Sequence, residues 1–129
     1  MTKDLIERAR SCIGVSVYER HARLSDAPRA FNCFRFTQWL WLHGGRELPD
    51  HQLVWPGGIP ILLESLEQAD LVFVPLLNRI QKTDNFGHVG VYSGNGTVIH
   101  ATKWRDGVVE DPLSDFIARG VLGIRRIPL

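Results

Sequence analysis

Cysteine is scarce in this sequence: Cys12 and Cys33 are its only two among 129 residues. The pair could in principle join, but so sparse a count is no disulfide framework. Long apolar runs are missing as well. Nothing approaches the ~18 residues that a membrane-spanning helix needs. The N-terminal stretch Met1 to Arg10 carries charges where a signal peptide needs an apolar core. A cytoplasmic chain without a membrane span is the expectation. Excess charge of one sign is also absent, with 15 Lys and Arg against 14 Asp and Glu, a formal net charge of +1. There is therefore no general electrostatic reason to bind nucleic acid or an anionic membrane, and partners must be argued from a site. Neither internal repeats nor low-complexity segments occur, and nothing indicates an oligomeric state.

What is present suits one compact domain over residues 1–129, with 44% hydrophobic and 22% charged residues. Leu5, Ile6, Ala9, Cys12 and Ile13 recur at helical spacing, predicting an amphipathic helix over residues 3–13 that Gly14 ends, with Cys12 packed inward. Residues 15–30 show little periodicity, and Ser25-Asp26-Ala27-Pro28 marks a loop. Pro49, Pro56, Gly57, Gly58 and Pro60 break residues 46–60 into a long loop. Trp55 in it either shapes a binding site or pins the loop to the core. A short helix is expected over Ile61 to Gln68 with Ile61, Leu62 and Leu66 inward. Asp70 to Pro75 reads as a buried strand, and Asn78 to Gly87 as a polar loop. Val108 and Val109 suggest another strand, Asp111-Pro112 the start of a short helix through Arg119 with proline at its first position, and Val121 to Ile127 a last strand. Helices followed by an antiparallel sheet make an α+β pattern.

The chain is organised around residues 31–45. Asn32 can accept from a free backbone N–H, and Phe31 and Phe36 are placed to form a hydrophobic staple, so a helix starts at Cys33. Gly44 and Gly45 mark its stop. Phe34, Phe36, Trp39, Leu40, Trp41 and Leu42 point in nearly every direction, which requires other elements to cover most of the helix. A thiol in the first turn faces the positive end of the helix dipole. That favours thiolate and draws the cysteine pKa down from roughly 8.5, whereas the other reading of Cys33 is an inert cysteine packed in the core as a small hydrophobe.

His88 to Tyr92 and Thr97 to Thr102 flank Ser93-Gly94-Asn95-Gly96 as a β-hairpin. Side chains alternate along a strand, so an even loop sends the two histidines to opposite faces. A three-residue loop Gly94-Asn95-Gly96 with a left-handed glycine places His100 opposite Gly90 and diagonal to His88, at roughly 7 Å or less between Cβ atoms. Cys33 at a helix start with His88 and His100 on one sheet face makes the parts of a thiol hydrolase: nucleophile, general base and orienting group. The same three residues could hold zinc, but no C-x-x-C spacing supports a metal site. A non-catalytic binding module, or a thiol enzyme that passes its acyl group to an amine or lipid instead of water, are the other readings.

Ala9-Arg10-Ser11-Cys12-Ile13-Gly14-Val15, Asn32-Cys33, Ala69 to Phe73, His88 to Gly96 and Val98-Ile99-His100-Ala101 follow one another in an order and spacing that resembles the NlpC/P60 cysteine peptidases. The resemblance implies a papain-like α+β fold with Cys33 as nucleophile, His88 as base and His100 as the orienting residue. It also implies cleavage of an amide bond in bacterial cell-wall (peptidoglycan) peptides, without metal or organic cofactor. Family members commonly carry an acidic residue before the cysteine and Ser-Gly after it; here the neighbours are Asn32, Phe34 and Arg35. Tyr18 stands one place from the family's tyrosine. Tyr18, Asn32, Phe34, Arg35 and Trp55 are thus the candidate substrate-binding residues. The loss of the acidic neighbour points to a ligand without a free amine there, with Arg35 available to an anionic group if its side chain reaches the cleft; the other reading packs Phe34 in the core and turns Arg35 to solvent.

Overall fold

The computed structural model describes residues 1–75 and 87–129. The expected loop from Asn78 lies outside the described residues, apart from Gly87. Helix α1 (Thr2–Ser11) is followed by two short parallel strands, β1 (Val17–Tyr18) and β2 (Ala30–Phe31), then helix α2 (Cys33–Leu42). Strands β3 (Ile59–Pro60), β4 (Leu71–Val74), β5 (His88–Tyr92), β6 (Thr97–Thr102) and β7 (Gly107–Pro112) precede helix α3 (Leu113–Arg119) and strand β8 (Gly123–Arg126). Strands β3 to β8 form one antiparallel sheet in the order β3-β8-β4-β5-β6-β7. The architecture is α+β, as the sequence pattern indicates.

Helix α2 starts as its cap chemistry dictates. The Asn32 side chain accepts from the Arg35 backbone N–H at 2.8 Å, and the rings of Phe31 and Phe36 meet edge to face with centroids 5.3 Å apart. Phe36, Leu40 and Trp41 are fully buried, each contributing about 1.5–3 kcal/mol of transfer free energy. The Trp41 indole N–H donates to the Ile127 carbonyl at 3.2 Å, so the helix is tied to the end of the chain. Coverage falls short of the expectation at the last turn, where Leu42 is exposed.

The sheet separates two apolar layers. One joins Leu5, Ile6 and Ala9 of α1 and Cys33, Phe36, Leu40 and Trp41 of α2 to Phe73, Val89, Val91, Ile99 and Ala101. The other packs Phe116 of α3 against Val72, Val74, Val98 and Ile124. Strand alternation produces this division, since residues two apart share a face.

Three local expectations need correction. Residues 61–68 make only a 3-10 turn at Leu63–Ser65 and Leu62 is exposed, because Ile59 and Pro60 pair with β8 and the Ile61 N–H donates to the Ile124 carbonyl, holding the chain extended. Pro112 is the residue before α3, not its first, and it still pairs with Thr97, so Asp111 belongs to β7. The loop expected over residues 46–60 ends in strand β3, and residues 15–30, which carry little periodicity, contribute β1, whose Tyr18 lies beside Phe31.

Candidate active site

The hairpin register decides where the histidines go. Tyr92 pairs with Val98 and Val91 with Ile99, while the Ser93 N–H donates to the Thr97 carbonyl, leaving Gly94-Asn95-Gly96 as the loop. Gly94 and Gly96 both have positive φ, at 95° and 80°, which glycine adopts without strain. Carried down the ladder, this register sets His100 opposite Gly90, as the odd loop requires. A Cβ on Gly90 would come within 3.2 Å of the His100 Cβ and 2.4 Å of Val98, so only glycine fits between the two strands' side chains.

The result is a hydrogen-bonded chain on the α3 face of the sheet. His88 Nε2 and His100 Nδ1 are 2.6 Å apart, and His100 Nε2 lies 2.7 Å from the Asp111 carboxylate. Asp111 accepts a further bond from Arg105 on its other oxygen. Both imidazoles are almost sealed, at 5% and 4% exposure, and Phe116 packs against each ring, with centroids 5.9 Å from His88 and 4.9 Å from His100.

Burial lowers the His88 pKa well below the usual imidazole range, and the charges of His100 and Arg119 push the same way. His100 is lowered too: burial outweighs the Asp111 carboxylate that favours its charged form, and Arg119 and Arg105 add to the lowering. For Asp111 the balance reverses. Burial raises its pKa, but bonds from Arg105 and His100 overcome that and hold it below the ordinary carboxylate value. Near neutral pH the chain is thus two neutral imidazoles backed by one carboxylate.

Cys33 is the first residue of α2, 6% exposed, and joins the apolar cluster of α1 and α2. Neither cysteine is in a disulfide. Tyr18 and Arg119 sense the Cys33 charge. Tyr18 is raised first by burial and next by Cys33, and Arg119, lowered by burial, is pulled back by Cys33. Arg119 also acts on both histidines, so it lies within electrostatic reach of Cys33, His88 and His100 together. Its Nη2 donates to the Pro75 carbonyl at 2.7 Å, and its guanidinium lies 5.7 Å from the Phe116 ring. A cavity of about 320 Å³ opens beside this arrangement, lined by His100, Asp111, Arg105, Arg119, Trp104 and Phe116 among others. Among the described residues no three or more His, Cys, Asp or Glu are grouped to hold a metal ion.

The NlpC/P60 family model matches residues 21–126. The chain belongs to the NlpC/P60 family. A probable endopeptidase of Corynebacterium glutamicum is 34% identical over 98 residues, 75% of this chain and 41% of the relative. A peptidoglycan DL-endopeptidase of Bacillus licheniformis is 32% identical over 117 residues, 85% of this chain and 24% of the relative. The chain therefore spans less than half the length of these curated relatives. A solved NlpC/P60 family protein from Bacillus cereus superposes with a TM-score of 0.81 at 25% identity, over 99% of this chain and 41% of that one. The peptidoglycan hydrolase RipB of Mycobacterium tuberculosis shares the fold, with a TM-score of 0.75 at 20% identity, over 99% of this chain and 65% of that one.

Set in the NlpC/P60 fold, the candidate substrate residues fall into two groups. Tyr18 is half-buried on β1 within reach of Cys33. The others are engaged with the protein. Asn32 caps α2 with its oxygen and donates from Nδ2 to the Arg20 carbonyl at 3.1 Å. Arg35 bonds Asp50 at 2.6 Å, Gln38 at 2.8 Å and the Ala22 carbonyl at 3.2 Å, so it clamps the 46–60 loop onto α2. Phe34 and Trp55 are half-buried against the main core, and Trp55 closes over Gly57, where a Cβ would lie 2.4 Å from the indole. Asp111, Arg105 and Arg119 have no counterpart in the sequence reading. The one available signal was the alternation along β7, which puts Asp111 on the face of His100 once Val98 is seen to pair with it.

Proposed function

We propose that this chain is a thiol hydrolase that cleaves an amide bond in a peptidoglycan-type peptide, with Cys33 as nucleophile, His88 as base and His100 as the residue that orients His88. The hydrogen-bonded chain from His88 through His100 to Asp111, in a fold whose central helix begins at Cys33, is the observation that carries the reading. His88 Nε2 is engaged by His100, so the nitrogen left for the thiol is Nδ1. The Cys33 Sγ–H proton passes to His88 Nδ1 as the thiolate sulfur bonds to the scissile carbonyl carbon. His88 then returns that proton to the departing nitrogen as the C–N bond breaks, leaving a thioester. Water attacks the thioester and gives its proton to His88, and the C–S bond breaks as Cys33 recovers its thiol. No metal or organic cofactor takes part.

The name of the Bacillus licheniformis relative, a peptidoglycan DL-endopeptidase, supports the choice of cell-wall peptide, and that of the Corynebacterium relative, a probable endopeptidase, supports peptide cleavage. Asn32 and Arg35 refine it. A neutral Asn32 with both ends bonded, and an Arg35 already matched by Asp50, offer no negative charge to a substrate ammonium. Losing one partner of a desolvated charge pair typically costs ~2–5 kcal/mol of binding, so a peptide lacking a free amine at that subsite is the preferred substrate. The test offers amine-free and amine-bearing D-Glu-containing wall peptides to the purified chain, with Cys33→Ala as control. Faster Cys33-dependent turnover of the amine-free peptide is expected. A preference for the amine-bearing one removes the specificity claim, and no Cys33-dependent turnover of either removes the hydrolase reading.

A further inference from the structure

The carboxylate behind the histidines does more than fill a gap. Asp111 reaches His100 because β6 and β7 pair Val98 with Asp111 and His100 with Val109, which puts the carboxylate diagonally across from the imidazole on the same face. Arg105 arrives from the turn that joins these strands. The Thr102 hydroxyl accepts from the Trp104 N–H, a 3-10 turn runs Lys103–Arg105, and Asp106 in the left-handed region turns the chain back into β7. Each Asp111 oxygen then has one partner, Arg105 on Oδ1 and His100 on Oδ2.

Resting on the hydrolase reading above, we propose that Asp111 and Arg105 are a positioning pair that fixes the tautomers of both histidines and so leaves His88 Nδ1 bare to receive the thiol proton. Counting protons gives the result. A carboxylate held ionised by an arginine can only accept, so His100 Nε2 must carry its hydrogen. Neutral His100 then has a lone pair on Nδ1, and the nitrogen facing it at 2.6 Å, His88 Nε2, must be the donor. His88 has one hydrogen to place, and it is placed on Nε2. Without the carboxylate, His100 can put its hydrogen on Nδ1, which forces the His88 hydrogen onto Nδ1 and blocks the base. Phe116, edge-on to His100 at 88°, and near-complete burial keep the rings from turning to escape this choice. The other charged groups lining this side are Arg119 and Asp115.

The experiment combines histidine ¹⁵N NMR on the full chain with the rate of Cys33 alkylation by iodoacetamide between pH 6 and 8. In the parent chain both histidines are expected to carry hydrogen on Nε2. Asp111→Asn offers an amide N–H to His100, so its spectrum should show the reversed tautomers, and alkylation at pH 6 should slow by about 100-fold, a gap that narrows toward pH 8 as an ordinary thiol of pKa ~8.5 ionises unaided. Asp111→Glu, which keeps the carboxylate and has the neighbouring cavity to fit into, should return the rate to within about ten-fold of the parent. Unchanged tautomers with alkylation within about two-fold in Asp111→Asn overturn the proposal. Should that variant fail to fold by circular dichroism, Asp111→Ala decides, because it leaves His100 Nε2 with no acceptor beside it: mixed tautomers support the pair and parent tautomers overturn it. A parent Cys33 that alkylates like a peptide thiol would remove the hydrolase reading, while the NMR spectra judge the tautomer assignment independently.

Discussion

Glu110 and Asp111 are neighbours on β7 that point to opposite faces of the sheet, and each does the same three-part thing. Glu110 takes a two-pronged bond from Arg10 of α1, at 3.0 and 2.9 Å, and a 2.5 Å bond from the Thr97 hydroxyl of β6. Asp111 takes a bond from Arg105 and one from His100 of β6. On the Glu110 side the chain continues from Thr97 to the Ser93 hydroxyl, which accepts the Asn95 N–H of the hairpin loop, a fastening of α1 to the sheet. On the Asp111 side it continues to His88, and every further member can gain or lose a proton. A carboxylate clamped by an arginine is thus a common fastening. Imidazoles at the far end turn one copy of it into a candidate for chemistry.

The largest contrast should come from the thiol itself. Cys33→Ala and His88→Ala are each expected to lower turnover of a wall peptide by about 10⁴-fold or more, since members of such a unit fail together. Peptide cleavage followed by mass spectrometry checks this. Glu110→Gln sharpens the comparison from the other face. It should leave turnover within about two-fold while lowering stability by about 1 kcal/mol, or a few degrees in melting temperature, discounted because Arg10 is substantially exposed. A Glu110→Gln variant as inactive as Asp111→Asn would erase the distinction between the two faces.

Acid should act on the histidine face first, and on the Glu110 face only as pH falls below the ordinary carboxylate range, since the bond from Arg10 holds Glu110 ionised. Both histidines have lowered native pKa values, so the unfolded chain binds protons first as pH drops through about 6.5. Their stability contribution is therefore whole above that pH and declines below it until the native imidazoles themselves protonate. The melting temperature should fall across this window, and less so in His88→Ala relative to its own value at pH 8. The smallest effect is expected at Arg35. Its ion pair with the exposed Asp50 is worth little, and its remaining bonds set the cost of Arg35→Ala near 1 kcal/mol by urea titration.

The parts of this fold that were legible in sequence are those written in local chemistry. Asn32 and Phe31 announce the start of α2, and the glycines at 94 and 96 fix a three-residue loop from which the placement of His100 against His88 follows by alternation alone. Asp111 was hidden because its partner depends on how β7 registers against β6 after a 3-10 turn, and because the proline beside it reads as the opening of a helix. The partners of Arg35 were hidden for a related reason: Asp50 and the Ala22 carbonyl come from loops whose paths no periodicity encodes. Family resemblance supplied the roles of Cys33, His88 and His100, whereas Asp111, Arg105 and Arg119 emerged only once the strands were paired.

The most direct test of the account is the pH dependence of Cys33 alkylation in the parent chain and in His88→Ala. Cys12 stays silent in this assay, since it is buried and burial raises its thiol pKa, and Cys33→Ala provides the blank. An activated thiol predicts a rate that rises with an inflection well below the ~8.5 of an ordinary cysteine and moves up toward that value when His88 is removed. An inflection near 8.5 in the parent chain, unmoved by His88→Ala, would contradict it.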